Sequence, residues 1–254
     1  MGALVIVATP IGNLSDLSPR ALEALRSADL VACEDTRQTL KLLNHFGIRK
    51  SLVSYHDFNE EKRTAELGEK IRTGLTVALV SDAGTPGISD PGYRLVRYCR
   101  EHNLSVIGIP GPNAAITALS ASGLACDEFL FVGFLPSKAT ARREKLASLR
   151  PVSATLIFYE APHRISVTLT DLLETLGDRE ACIARELTKL HEEFLFGKLS
   201  EIREKVKELG EFVIVVSGNS AGEQPQTRAP LTREEVLKTL GISRNELYAL
   251  FFKK

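Results

Sequence analysis

Two aspartates bracket a dense run of glycine and proline in residues 79–92, LVSDAGTPGISDPG. A plain turn needs one or two such residues, so a run this rich specifies a backbone shape. Glycine lets a ligand approach the main chain closely, and Asp82 and Asp90 put two carboxylates on the same loop. Four other segments have a similar make-up: ATPIGNLSD at 8–16, EDTR at 34–37, PGPNAA at 110–115 and YEAPHR at 159–164. Each lies just past a short apolar run that reads as a strand. In parallel α/β sheets, ligands bind beyond the carboxyl ends of the strands, where loops and backbone amides converge. Any one of these loops would serve as a connector. Five of them together argue for a small-molecule cleft.

Several other chemistries lose support. The sequence holds no GxxxxGK[ST] phosphate loop and no GxGxxG after its first strand. It holds no GxSxG nucleophile elbow and no HExxH zinc helix. Its four cysteines, Cys33, Cys99, Cys126 and Cys182, are far apart and form no CxxC pair, so neither a metal site nor a disulfide framework is expected. Lys plus Arg equals Asp plus Glu at 32 each, which removes the simple argument for nucleic acid from net charge. The start, MGALVIVATPIGN, has no basic leader and only a short apolar run. Neither a signal peptide nor a membrane span is expected, and cytoplasm is the default.

The elements that must position these loops follow from the pattern. LVIVA at 4–8 reads as a buried strand, and SPRALEALRSA at 18–28 as a helix with Ser18 as cap and Pro19 in its first turn. Short apolar runs then alternate with helical patterns up to SVIGIP at 105–110. Such alternation predicts a mostly parallel α/β sheet. PGPN at 110–113 interrupts it, and a second α/β series runs to EFVIVVSG at 211–218, with later strands in closer succession that suggest a mixed sheet. The expected division is 1–112 and 113–219, then a polar linker at 220–230 and a helical tail at 231–254. The tail has a helix-turn-helix character around Gly241 and Ser243.

The segments VATPIGNLSDLSPRALEALRSADLVACEDTR, LVSDAGTPGISDPG, PGPNAAITALSASG, FYEAPHR and ARELTKLHEE resemble the tetrapyrrole methylase, or class III S-adenosylmethionine-dependent methyltransferase, superfamily. Within it they are most similar to the branch that modifies small-subunit ribosomal RNA. The resemblance covers about residues 4 to 218. It implies two α/β domains with S-adenosylmethionine in the cleft between them. It implies methyl transfer to the ribose 2′-hydroxyl of a cytidine in the decoding region of 16S rRNA, within the assembled small subunit. A homodimer and no membrane association are implied as well.

The same resemblance assigns residues. Pro10, Ile11 and Gly12 would touch the cofactor from the first loop. Gly84, Thr85 and Pro86 replace the Gly-Asp-Pro common in the superfamily, and Ile88 matches an apolar cofactor contact. Asp82 and Asp90 are then left for the substrate side or for bracing the loop. Ala115 and Ile116 map near the adenosine, with Tyr159, Glu160, Leu187 and Thr188 closing the pocket.

A ribose hydroxyl must lose its proton, so a general base would help. Glu34, Asp35, Asp82 and Glu186 are the catalytic candidates, with His56 and His191 also able to serve. Arg37, His56, Arg164 and Lys189 are the expected substrate contacts, and Arg185 lies beside them. Arg142, Arg143 and Lys145 read as a solvated helix face. Two rivals stay open. One is a methyltransferase of the same fold acting on a tetrapyrrole or a protein side chain. The other is a non-enzymatic metabolite sensor that binds DNA through its tail.

Overall fold

The computed structural model describes residues 2–219. The expected linker at 220–230 and helical tail at 231–254 lie outside the described residues. Two five-stranded sheets organise the described residues.

The first sheet has β1 (Ala3–Val7), β2 (Leu30–Cys33), β3 (Ser51–Ser54), β4 (Thr76–Val80) and β5 (Ser105–Ile109) in the order β3-β2-β4-β1-β5. Every pairing in it is parallel. All five strands therefore end on one edge of the sheet, and the loops that follow β1, β2, β4 and β5 are four of the unusual segments. Alternate strand residues face opposite layers, as period-two geometry requires. Val5, Val7, Val31, Cys33, Ala78 and Val80 pack with α1 (Pro19–Ser27) and α2 (Thr36–His45). Leu4, Leu30, Ala32, Val77 and Leu79 pack with α3 (Glu60–Arg72) and α4 (Tyr93–Glu101). Each fully buried Leu or Val contributes about 1.5–3 kcal/mol, and this sandwich fixes the strand ends.

The helix boundaries follow local chemistry. Ser18 Oγ accepts from the Ala21 amide at 3.1 Å, and Pro19 fills the first turn, where its missing N–H costs nothing. Gly47 terminates α2 at φ +65°, a left-handed conformation that glycine adopts without penalty.

The second sheet has β6 (Phe129–Phe134), β7 (Thr155–Glu160), β8 (Glu180–Arg185), β9 (Glu193–Lys198) and β10 (Phe212–Val216) in the order β6-β7-β10-β8-β9. Only β6 and β7 are parallel, so the sheet is mixed. One face carries α6 (Ala139–Leu149), α7 (Ile165–Leu176) and α8 (Leu199–Lys205). The other carries α5 (Ala114–Ala121) through Ala115, Ala118 and Leu119. Ile11, from the loop after β1, packs into this same cluster and joins the two halves of the chain.

The basic helix departs from expectation at one residue, for Arg143 and Lys145 are exposed as a solvated face requires. Arg142 is buried, with its Nε donating to Asp171 Oδ2 at 2.6 Å, and Arg143 Nε donates to Asp171 Oδ1 at 2.7 Å. The periodicity of ARREKL cannot reveal a buried acid on α7, so a solvated face was the natural reading. Among the described residues, no helix is long and apolar enough to cross a membrane.

Candidate active site

The loops at the strand ends are stitched to one another. Thr9 and Gly84 exchange backbone hydrogen bonds of 2.8 and 3.0 Å, and Thr9 Oγ1 donates to the Ser81 carbonyl at 3.0 Å. Thr85 Oγ1 donates to the Pro112 carbonyl at 2.9 Å. The loop between Ser81 and Gly92 reverses direction through left-handed positions at Gly84 (φ +87°), Gly87 (φ +82°) and Ser89 (φ +63°). That is the shape its glycines serve. At its far end, the Gly92 amide donates to Glu60 Oε1, which also accepts from the Tyr55 hydroxyl at 3.0 Å. The first loop also meets the second half of the chain. A Cβ on Gly12 would stand 2.5 Å from Lys189 Cγ and 2.7 Å from Thr188 Oγ1.

These loops enclose a cleft of ≈ 390 Å³ between the two sheets. That lies within the range of about 300–1,000 Å³ usual for small-molecule sites. Ile11, Gly84, Thr85, Ile88, Tyr159, Glu160 and Leu187 line it, as does Asp82. Pro10 and Pro86 are buried behind the loops they shape. Gly12 and Thr188 form the contact between the two halves of the chain, beside the cleft. Ala115 is buried, its amide donating to the Tyr159 hydroxyl at 3.2 Å, while Ile116 is exposed; Asn113 and Ala114 are the lining residues at that helix start.

Several side chains have structural work that their sequence does not disclose. Asp35 caps α2 by accepting from the Arg37 amide at 2.8 Å, and it pairs with the Arg37 guanidinium at 2.7 Å. The Arg37 hydrogen bonds hold its carboxyl down at about 2, which makes it a weak proton acceptor. Asp35→Ala is expected to lower the melting temperature slightly through loss of the cap. Any turnover in the cleft should stay within about tenfold of the wild type in that variant, less than the 10²–10⁴-fold loss expected on removing a general base. A thermal melt and an activity assay on the same variant check both.

Glu186 accepts from Lys189 Nζ at 2.9 Å and from the Glu211 amide at 2.9 Å. The Lys189 hydrogen bond holds its carboxyl below the usual range. Lys189 also pairs with Glu211 at 2.8 Å, so its charge is already engaged. Arg164 faces the buried Glu160 at 3.3 Å and donates to the Leu135 carbonyl at 2.8 Å. Glu160 in turn accepts from Thr168 Oγ1 at 2.7 Å and from the Ala161 amide at 2.9 Å. Arg185 Nε donates to Glu193 at 2.9 Å. Of the basic side chains expected on substrate, Arg37 is the exposed one, at 86% for its side chain. His191 is exposed and does not line the cleft.

A second group of acids gathers at the ends of β2 and β4. Burial raises the Glu34 carboxyl, and Asp82 and Asp57 push it further, with His56 opposing them. Asp82 Oδ1 accepts from the Asp35 amide at 3.0 Å. Asn59 fixes the loop after β3 by bonding the His56 amide at 2.9 Å, and its amide nitrogen lies 3.1 Å from His56 Nε2. Burial pushes Asp90, which lines the cleft, up to about 6, with Glu34 adding to the effect.

A family model described as "Tetrapyrrole (Corrin/Porphyrin) Methylases" matches residues 3–203. The chain belongs to the tetrapyrrole methylase family. Solved structures agree on the tetrapyrrole methylase fold. Uroporphyrin-III-C-methyltransferase from Thermus thermophilus superposes with a TM-score of 0.61 at 21% identity, over 85% of this chain and 94% of that one. Diphthine synthase superposes with a TM-score of 0.65 at 17% identity, over 87% and 91%. Two tetrapyrrole methylase relatives are far more similar in sequence, and both are named ribosomal RNA small subunit methyltransferase I. The protein from Halalkalibacterium halodurans is 52% identical over 89% of this chain and 79% of its own length. The one from Synechocystis is 50% identical over 97% and 90%.

Sequence reasoning missed part of the lining. Phe134 and the stretch Glu211, Phe212 and Val213 reach the cleft because β10 returns antiparallel between β7 and β8. No local pattern encodes that strand order. Asp90, which the sequence leaves for the substrate side or for bracing the loop, lines the cleft.

Proposed function

We propose that this protein transfers a methyl group from S-adenosylmethionine to the ribose 2′-hydroxyl of a cytidine in the decoding region of 16S rRNA. The observation that carries the reading is the 50% identity, over 97% of this chain and 90% of the relative, to a protein named ribosomal RNA small subunit methyltransferase I. Such extent leaves little of either chain outside the likeness.

The cleft suits the cofactor. Ile11, Leu187 and Val213 offer an apolar wall for an adenine, while Asp82 offers negative charge to a sulfonium. The loop at Gly84 and Thr85 would hold the amino-acid portion. When bound there, S-adenosylmethionine would supply an electrophilic methyl group on a sulfonium. The chain's part is to align the acceptor and keep water out, which alone lowers such a barrier substantially. Phe58, 99% exposed beside His56 on the loop after β3, offers a ring on which an unstacked base can rest.

The domain division near residue 112 belongs to the same reading. β5 ends at Ile109, and α5 packs on the second sheet. We read the working form as a cytoplasmic homodimer. Exposed aromatic side chains on the edge strands β6 and β9, Phe134 and Phe196 among them, support a partner surface.

Transfer is tested with small subunits that lack the modification, isotopically labelled cofactor and purified protein. Label recovered in 2′-O-methylcytidine after digestion to nucleosides is the expected result. Label in a tetrapyrrole mixture but not in RNA would overturn the reading.

A further inference from the structure

Four carboxylates line the cleft: Asp82, Asp90, Glu160 and Glu211. Glu160 is buried and held by Thr168, the Ala161 amide and Arg164. Glu211 is paired with Lys189. Asp82 is exposed and supports the Asp35 amide. Asp90 has one partner, the Ser81 hydroxyl of its own loop, and is the more enclosed of the two loop acids. It is half-buried and follows a left-handed Ser89 in the loop that shapes the cleft floor. We propose that Asp90 is the general base that takes the proton from the acceptor hydroxyl. This rests on the methyl-transfer reading above.

The step balances. The proton passes from the ribose oxygen to a carboxylate oxygen of Asp90, and its bonding pair stays on the ribose oxygen to form the new bond to carbon. A negative carboxylate and a positive sulfonium both become neutral, so charge disappears from a confined cleft as the reaction proceeds.

The surroundings tune Asp90 for this task. Glu34 faces it from the end of β2, Asp57 from the loop after β3, Asp82 from its own loop and Tyr159 from β7. His56 faces Glu34. The Ser81 hydroxyl favours the charged form, while burial and the three acids oppose it. The result, about 6, lies where a base is mostly ionised at neutral pH yet still accepts a proton well.

The experiment uses the full chain with Asp90→Asn, Asp90→Glu and Glu34→Gln. Carbon NMR of the aspartate carboxyls, without cofactor or RNA, should show one group titrating near 6 that vanishes in Asp90→Asn. In Glu34→Gln that group should titrate lower. Single-turnover transfer at saturating cofactor should fall about 10²–10⁴-fold in Asp90→Asn, with cofactor affinity kept within about threefold and partial rescue in Asp90→Glu. The wild-type rate should rise with pH up to about 7 and then level.

An Asp90→Asn rate within tenfold of wild type, on the same pH limb, overturns the assignment and leaves the functional reading standing. No transfer by the wild type overturns both. Should Asp90→Asn fail to fold, an Asp90 that titrates in the ordinary carboxylate range in the wild type overturns the assignment on its own.

Discussion

Gly84→Val is expected to abolish useful cofactor binding while the protein stays folded. Gly84 sits at φ +87° and pairs with Thr9 through both its N–H and its carbonyl. A β-branched residue in the left-handed region costs at least about 1–2 kcal/mol. The added atoms have room, because a Cβ there would stand 3.4 Å from Ile11 Cγ2 and 3.8 Å from the Pro112 carbonyl. The backbone is therefore what gives way, and it does so by breaking the Thr9 pairing that sets the cleft floor. Titration calorimetry should show affinity weakened at least about tenfold, the equivalent of 1.4 kcal/mol. The melting temperature should fall by only a few degrees. Undiminished binding in Gly84→Val would mean that this loop does not hold the cofactor.

Asp171→Ala should produce the largest loss of stability. Asp171 is buried between Arg142 and Arg143, and the Arg142 side chain is only 6% exposed. Removing the acid leaves a buried guanidinium that keeps the Ser137 carbonyl but has no countercharge, and breaking a buried pair in this way costs about 3–5 kcal/mol. Denaturant melts of the two proteins measure the difference. A loss below about 1 kcal/mol would show that water reaches Arg142.

The pair also predicts an acid limb. Burial tends to raise the Asp171 carboxyl, but the hydrogen bonds from Arg143 and Arg142 more than offset it, and the folded state holds it below its ordinary value. A depressed folded value gives stability that is fully present above the unfolded value of about 3.9 and is lost as pH falls through the folded one. Asp171→Ala should therefore lose less stability than the wild type on acidification below pH 4.

The frame of the molecule was legible because local rules and tertiary packing agree. Ser18 and Pro19 open a helix in sequence and in structure, and Gly47 closes one. The parallel strands read as apolar runs because both of their faces are covered. The shape of residues 81–92 was legible in its glycines, three of which take positive φ.

What stayed hidden depends on how charged side chains pair in three dimensions, whether the partner is two residues away, as Arg37 is from Asp35, or on another helix, as Asp171 is from Arg142. Asp35 looks like a base until its amide and guanidinium partners at Arg37 are seen. Arg164 and Lys189 look like phosphate ligands until Glu160, Glu186 and Glu211 are found beside them. Arg142 looks solvated until α7 brings Asp171 against it. An ionisable residue announces its type in the sequence, but its charge state and availability belong to the packed structure.

The central claim is methyl transfer to a ribose on small-subunit RNA, and the direct measurement is where the methyl group lands. Unmodified small subunits are treated with cofactor and either the wild-type protein or Gly84→Val. The RNA is digested to nucleosides, and the methylated product is fragmented in a mass spectrometer. The account predicts a methylated cytidine whose extra mass stays with the sugar fragment, formed by the wild type and lost in Gly84→Val. Extra mass on the base fragment, or RNA left unmethylated by the wild type, would contradict it.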